Sequence, residues 1–194
     1  MKSQLNPHFF FNSLNSLRAL VMEDPRRAQE AITQLAEILR YHLESGERSL
    51  VQLADEITTA EQYLALELIR FEDRLTVERA FDPRALSFLV PPLALQTLVE
   101  NAVKYGVSRD RGLAVIRLSA SVDDELLEVT VRNTGSLRTD RGSASTGVGL
   151  TNLRTRLRLL FGDGASFLLH EPEPGWVEAR MSLPAAQTLA TDAA

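Results

Sequence analysis

The residues best equipped for chemistry lie in PPLALQTLVENAVKYG, from Pro91 to Gly106. Leu95, Leu98, Val99, Ala102 and Val103 recur at three- and four-residue spacing, which makes one apolar helix face. The Pro-Pro pair signals the helix start. Gln96, Glu100, Asn101 and Lys104 line the other side. A carboxylate, an amide and an amine in a row beside a buried ridge can hold a metal ion and a phosphate. The same spacing also allows a plain surface pair between Glu100 and Lys104, worth about 0.3 kcal/mol. Asn101 argues for a site, because Asn is a poor residue for a helix interior.

Two other stretches could take part. Asn133 to Gly149 is rich in Gly, Ser and Thr and reads as a loop. It ends in Gly147-Val148-Gly149-Leu150 and runs into a helix patterned by Leu150, Leu153, Leu157 and Leu160. Glycines ahead of a helix let backbone N–H groups approach an anion, with the helix dipole assisting. A plain surface loop uses glycines in the same way. Neither a dinucleotide fingerprint nor a GxxxxGK[ST] loop is present. His8 lies in a helix over residues 2–22, with Pro7 in its first turns. Phe10, Leu14, Leu17 and Val21 fall on one side of that helix, and Gln4, His8, Asn12 and Asn15 on the other. A lone histidine on a polar face is ordinarily just a solvated residue.

Composition narrows the classes. The net charge of −5 argues against a general affinity for nucleic acid. Without cysteine there are no disulfides, thiolate nucleophiles or Cys-based zinc sites, which fits a reducing compartment. Three scattered histidines make no His-rich metal site. Pro91 and Pro92 break the longest apolar stretch, so nothing spans a membrane. The N-terminus has polar residues where a signal peptide needs an apolar core.

Around these residues the chain supplies a scaffold of helices and strands. Asp24 caps a second helix that starts at Pro25, with Ala28, Ile32, Leu35, Leu39 and Leu43 on its apolar side. His42, near its end, is structural or solvated. Two amphipathic helices form a hairpin too small to bury both stripes, and pairing two hairpins into a four-helix dimer is the simplest remedy. Ser45-Gly46-Glu47 marks the domain boundary. A third helix runs from Leu53 to Phe71 on a ridge of Leu53, Ile57, Ala60, Leu64, Leu68 and Phe71. Arg74 to Phe81 reads as a strand ending at the turn Asp82-Pro83. Ala114–Val122 and Leu126–Asn133 read as a hairpin around Asp123-Asp124. The strands Ser166–His170 and Trp176–Leu183 close the fold, and the Ala-rich tail after Pro184 is expected to be disordered.

In this order, LNPHFFFNSLNSL, LALELIRFEDRL, PLALQTLVENAVKYG, VRNTG and GVGLTNLRTRLRLLFG resemble the LytS-type sensor histidine kinases, over about residues 2–184. Their catalytic domain belongs to the ATPase superfamily shared with gyrase and mismatch-repair proteins. The resemblance implies an α+β chain. Residues 1–48 would be a dimerisation and histidine phosphotransfer hairpin, and 49–184 a two-layer α/β sandwich binding ATP and Mg2+. Residues 185–194 would be the tail. It implies that His8 is phosphorylated and that Asn101 binds Mg2+ bridging the ATP phosphates. Glu100 would orient metal-bound water or assist proton removal, and Lys104 would contact phosphate. Gly147 and Gly149 would close the ATP lid, with Asn133 and Gly135 under the adenine. Asn12, one turn after His8, is placed to position water for the reverse phosphatase reaction.

The sequence departs from that pattern at several positions. Asn133 stands where many relatives have aspartate, so a charge-assisted hydrogen bond to adenine becomes a neutral one, about half as strong. Leu137 replaces the second glycine of that motif, and Tyr105 a histidine after the lysine. Phe9 follows His8 where other histidine kinases have an acid, which leaves Glu100 as the candidate base. The implied partners are a response-regulator receiver domain and a second copy of the chain. The implied location is cytoplasmic, with a membrane sensor upstream. Two other readings stay open: a non-catalytic dimeric nucleotide-binding module, and a nucleotide hydrolase that drives a clamp.

Overall fold

A computed structural model of the chain describes residues 7–44, 48–107, 112–123, 126–137 and 148–184, with only the backbone of Pro7 and His8. The first helix, α1, spans Pro7–Glu23 and the second, α2, Pro25–Glu44. Pro7 is the first described residue of α1, a position that suits a residue without an N–H to contribute. Asp24 is the N-cap expected of it, accepting from the Arg27 N–H at 3.1 Å.

The buried stripes of the hairpin differ from the expected ones. On α1 they are Phe9, Ser13, Leu17 and Leu20, while Leu14 and Val21 are exposed and Phe10 is half-buried. On α2 they are Ala28, Ala31, Leu35, Ile38 and His42, while Ile32, Leu39 and Leu43 are exposed. Both helices carry apolar residues on two sides, and packing against the third helix selects one of them.

That helix, α3, spans Leu53–Phe71 as expected, preceded by the short strand β1 at Val51–Gln52. A 3-10 turn, Glu72–Arg74, leads to β2 at Leu75–Phe81. After a second 3-10 turn and the short strand β3, Leu89–Val90, comes α4, Ala94–Ala102, which continues as a π-helical turn over Val103–Val107. The helix thus starts after the prolines and not at them. The hairpin of β4, Ala114–Asp123, and β5, Leu126–Thr134, forms as expected. The helix α5 spans Val148–Phe161, and the strands β6, Ser166–Glu173, and β7, Trp176–Pro184, complete the fold.

The five-stranded sheet has the order β2-β4-β5-β7-β6, with only β2 and β4 parallel. Alternation along the strands gives it one apolar face. Ile116, Leu118, Val129, Val131, Ala179 and Met181 point into a core shared with α3, α4 and α5, and Leu153 and Leu157 of α5 are buried as expected. Leu160 is exposed instead. The other sheet face bears charges, with Arg117 paired to Glu78 and lying over Trp176. The Ser45–Glu47 boundary, Gly147 and the tail after Pro184 fall outside the described residues.

Candidate functional site

α4 supplies the densest set of functional groups. Its ridge of Leu95, Leu98, Val99, Ala102 and Val103 is fully buried, which fixes the roll of the helix. Glu100 and Asn101 are half-buried beside it and Lys104 is exposed, with its ammonium 5.2 Å from the Tyr105 ring. Gln96 departs from expectation: it is only 1% exposed, not on a solvent stripe. Its Nε2 donates to Glu100 Oε1 at 3.1 Å and holds that carboxylate in place.

The end of β5 meets the turn after α4. Asn133 is buried, and its Nδ2 donates to the Thr134 carbonyl at 2.9 Å. The amide oxygen is thereby left as the acceptor. A Cβ on Gly106 would lie 2.9 Å from Asn133 Nδ2 and 3.0 Å from the Thr134 carbonyl. Gly135 has φ +141°, and its N–H donates to the Gly175 carbonyl at 2.9 Å. Two motifs distant in sequence are thus packed backbone to side chain at a position where only glycine fits.

Gly149 lies within α5 and not ahead of it. A Cβ there would touch Thr97 of α4 at 3.4 Å. Glu100, Asn101, Lys104, Asn133, Gly135 and Gly149 therefore gather around one helix and its π turn. His8 is in the first turn of α1, and Asn12 is half-buried one turn on.

α3 links these two regions. The Phe9 ring, next to His8, packs on Tyr63 with centroids 4.5 Å apart. Tyr63 is buried and donates its hydroxyl to Glu67. Burial pushes its proton affinity up, and the charges of Glu67 and Glu100 add to that. Burial also raises the Glu67 carboxyl, against the opposing pull of Arg70 at 3.2 Å. One tyrosine thus packs on the start of α1 and feels the charge of Glu100.

Sequence reasoning missed Glu56, Tyr63 and Glu67. The signal was available: Leu53, Glu56, Ala60, Leu64, Glu67 and Phe71 form one helical stripe, with two carboxylates at core positions where acids are rare.

The donor chemistry fits a magnesium ion shared with a triphosphate. Asn101 and Glu100, successive half-buried residues of α4, offer an amide and a carboxylate oxygen, and Mg2+ takes one or two such ligands beside phosphate oxygens. Among the described residues no three His, Cys, Asp or Glu converge into an all-protein cage. Nor is any described helix long and apolar enough to cross a membrane.

Comparison with known proteins places this architecture. The family model for histidine kinases matches residues 1–75. Sensor protein LytS of Staphylococcus haemolyticus is 36% identical over 186 residues, which is 90% of this chain and 32% of that protein. Sensor histidine kinase YpdA of Escherichia coli is 31% identical over 180 residues, 89% of this chain and 32% of that protein. The chain therefore spans about a third of the length of these relatives. Among solved structures, the catalytic domain of histidine kinase ThkA matches with a TM-score of 0.55 at 16% identity, covering 70% of this chain and 94% of that one. ThkA in complex with the response regulator protein TrrA matches at 0.51 and 13% identity, over 93% of this chain and 60% of that one. These structural likenesses speak for the fold, and the sequence likeness carries the kinship. By its sequence, the chain is kin to the LytS-type sensor histidine kinases along about nine-tenths of its own length.

Proposed function

We propose that this chain is the phosphoryl-transfer core of a two-component sensor: it moves the γ-phosphoryl group of ATP onto His8 and then to an aspartate of a response-regulator receiver domain. In this reading residues 1–48 carry the acceptor histidine and 49–184 bind the nucleotide, in a cytoplasmic unit attached to an upstream membrane sensor. The observation that supports it most is Tyr63, which packs against Phe9, next in sequence to His8, and feels the charge of Glu100.

A neutral imidazole is nucleophilic near neutral pH. One ring nitrogen of His8 attacks the γ-phosphorus in line, and the bond to the β–γ bridging oxygen breaks to release ADP. The attacking imidazole carries one proton too many, and Glu100, held by Gln96, accepts it. Such transfer depends on positioning and charge neutralisation more than on covalent machinery. Lys104 contacts a phosphate oxygen, Gly147 and Gly149 approach the phosphates from the lid, and Asn133 and Gly135 seat the adenine. Mg2+ held on Asn101 supplies the remaining charge neutralisation when bound. Asn12 positions water for the reverse hydrolysis.

A homodimer is supported by the second apolar stripe of the hairpin. Phe11, Leu14 and Val21 on α1 and Ile32, Leu39 and Leu43 on α2 stay exposed at helical spacing. That is the face a four-helix bundle with a second copy would cover.

Incubation with γ-labelled ATP tests the proposal. Acid-labile, base-stable label is expected, absent in His8→Ala and reduced about 100-fold or more in Asn101→Ala. Asn12→Ala should slow loss of the label; an unchanged rate removes that role. ATP binding without label would make the chain a non-catalytic module, and released phosphate without label a hydrolase.

A further inference from the structure

α4 begins without a cap of its own. Its N-cap residue is Leu93, at φ 61° and ψ 18°, and it offers no side-chain hydrogen bond. The left-handed region is an unfavourable place for leucine, and the first N–H groups of the helix need acceptors from elsewhere. Glu56 of α3 provides them. The Leu93 N–H donates to Glu56 Oε1 at 2.6 Å and the Leu95 N–H to Oε2 at 3.0 Å, with the Gln96 N–H facing the same carboxylate. The hydroxyl of Tyr41, on α2, donates to Oε1 at 2.8 Å. From the α5 side Arg156 faces it electrostatically, with a buried Nε that has no acceptor among the described residues.

This carboxylate is 0% exposed. Burying a carboxylate is costly, and a Ser, Thr, Asp or Asn at position 93 would satisfy a helix N-terminus locally at no such cost. The long-range cap does what a local one does not: it ties the start of α4 to a residue of the hairpin. At the far end Gln96, itself buried, holds Glu100. Hydrogen bonds thus run from α2 through Glu56 and the first turn of α4 to Glu100.

We infer that Tyr41 and Glu56 are positioning residues, which make the placement of Glu100 depend on how α2 sits on α3. A shift of α2 that draws the Tyr41 hydroxyl off Glu56 loosens the first turn of α4 and with it the hold of Gln96 on the Glu100 carboxylate. The inference rests on the kinase reading for what Glu100 does, but the link itself is independent of it.

Two measurements on the whole chain carrying Tyr41→Phe test this. Without nucleotide, the amides of Leu93, Leu95 and Gln96 should exchange hydrogen about tenfold faster than in the wild type, as expected for loss of one hydrogen bond to a charged group. Amides of β5 and β7 should be unchanged and thereby report an intact fold. Equal exchange in α4, or faster exchange throughout, overturns the inference. In Glu56→Gln the same three amides should exchange faster still. Adding Tyr41→Phe to that variant should change nothing more; additive effects overturn the link. With γ-labelled ATP, Tyr41→Phe should lower kcat for His8 labelling about tenfold and leave KM for ATP within about twofold. Wild-type kcat, or a loss confined to KM, overturns the positioning role. If the wild type itself takes no label, the kinase reading fails, and the exchange data still decide the link.

Discussion

A buried residue can be judged by the proton it gains or refuses on folding. His42 is 4% exposed, and neither ring nitrogen has a hydrogen-bond partner among the described residues. Burial holds its proton affinity below the ordinary value of 6.5. Just below pH 6.5 the unfolded chain therefore binds a proton that the folded chain refuses. Stability is unaffected by this group above that pH and is lost as pH falls, by up to about 1.4 kcal/mol per unit. Glu56 and Glu67 act in the opposite direction. Burial raises both carboxyls above 4.5, so their contribution falls as pH rises from 4.5 through the folded values. Urea denaturation from about pH 7.5 to 5.5 should show a shallower acid-side loss in His42→Leu than in the wild type. Identical slopes would mean that His42 titrates as it does in the unfolded chain.

At the scale of elements, the π-helical turn after α4 is the joint that brings β5 to that helix. A π turn inserts one extra residue into a helix and re-aims the residues beyond it. Here it carries Lys104 and Tyr105 and lays the backbone of Gly106 on Asn133. A methyl at Gly106 would press on the Asn133 amide and on the Thr134 carbonyl, a backbone atom that cannot step aside cheaply. Gly106→Ala should cost about 1–3 kcal/mol in urea denaturation. It should also weaken binding of a fluorescent ATP analogue, because it displaces Asn133. Gly112→Ala, where a methyl meets nothing within 4 Å, is the control. If the two variants behave alike, Gly106 is not the joint.

In the whole molecule, one continuous core runs from Phe9 on α1 through α3 to Met181 in the sheet. The hairpin is therefore packed into the same core as the sheet and α4. The stripe that core leaves uncovered makes a prediction about assembly. The wild-type chain should sediment as a dimer, and Leu14→Glu combined with Leu39→Glu as a folded monomer of 21.5 kDa. Both leucines are exposed within one chain, so the charges should leave the fold intact. A wild type that stays monomeric at the highest concentrations reached would remove the four-helix dimer.

The α+β order, α3 to its ends, the β4–β5 hairpin and the grouping of Glu100, Asn101 and Lys104 on one helix were all legible in the bare chain. Each rests on a local period or a turn signal, which a linear sequence displays directly. Which of two apolar sides of α1 and α2 is covered was not legible, since both satisfy the same periodicity. Packing alone could set Asn133 against Gly106, put Gln96 in the interior as the holder of Glu100, and commit the Glu56 carboxylate to the N–H groups of another helix. Those choices depend on which elements meet, and spacing along the chain carries no record of that.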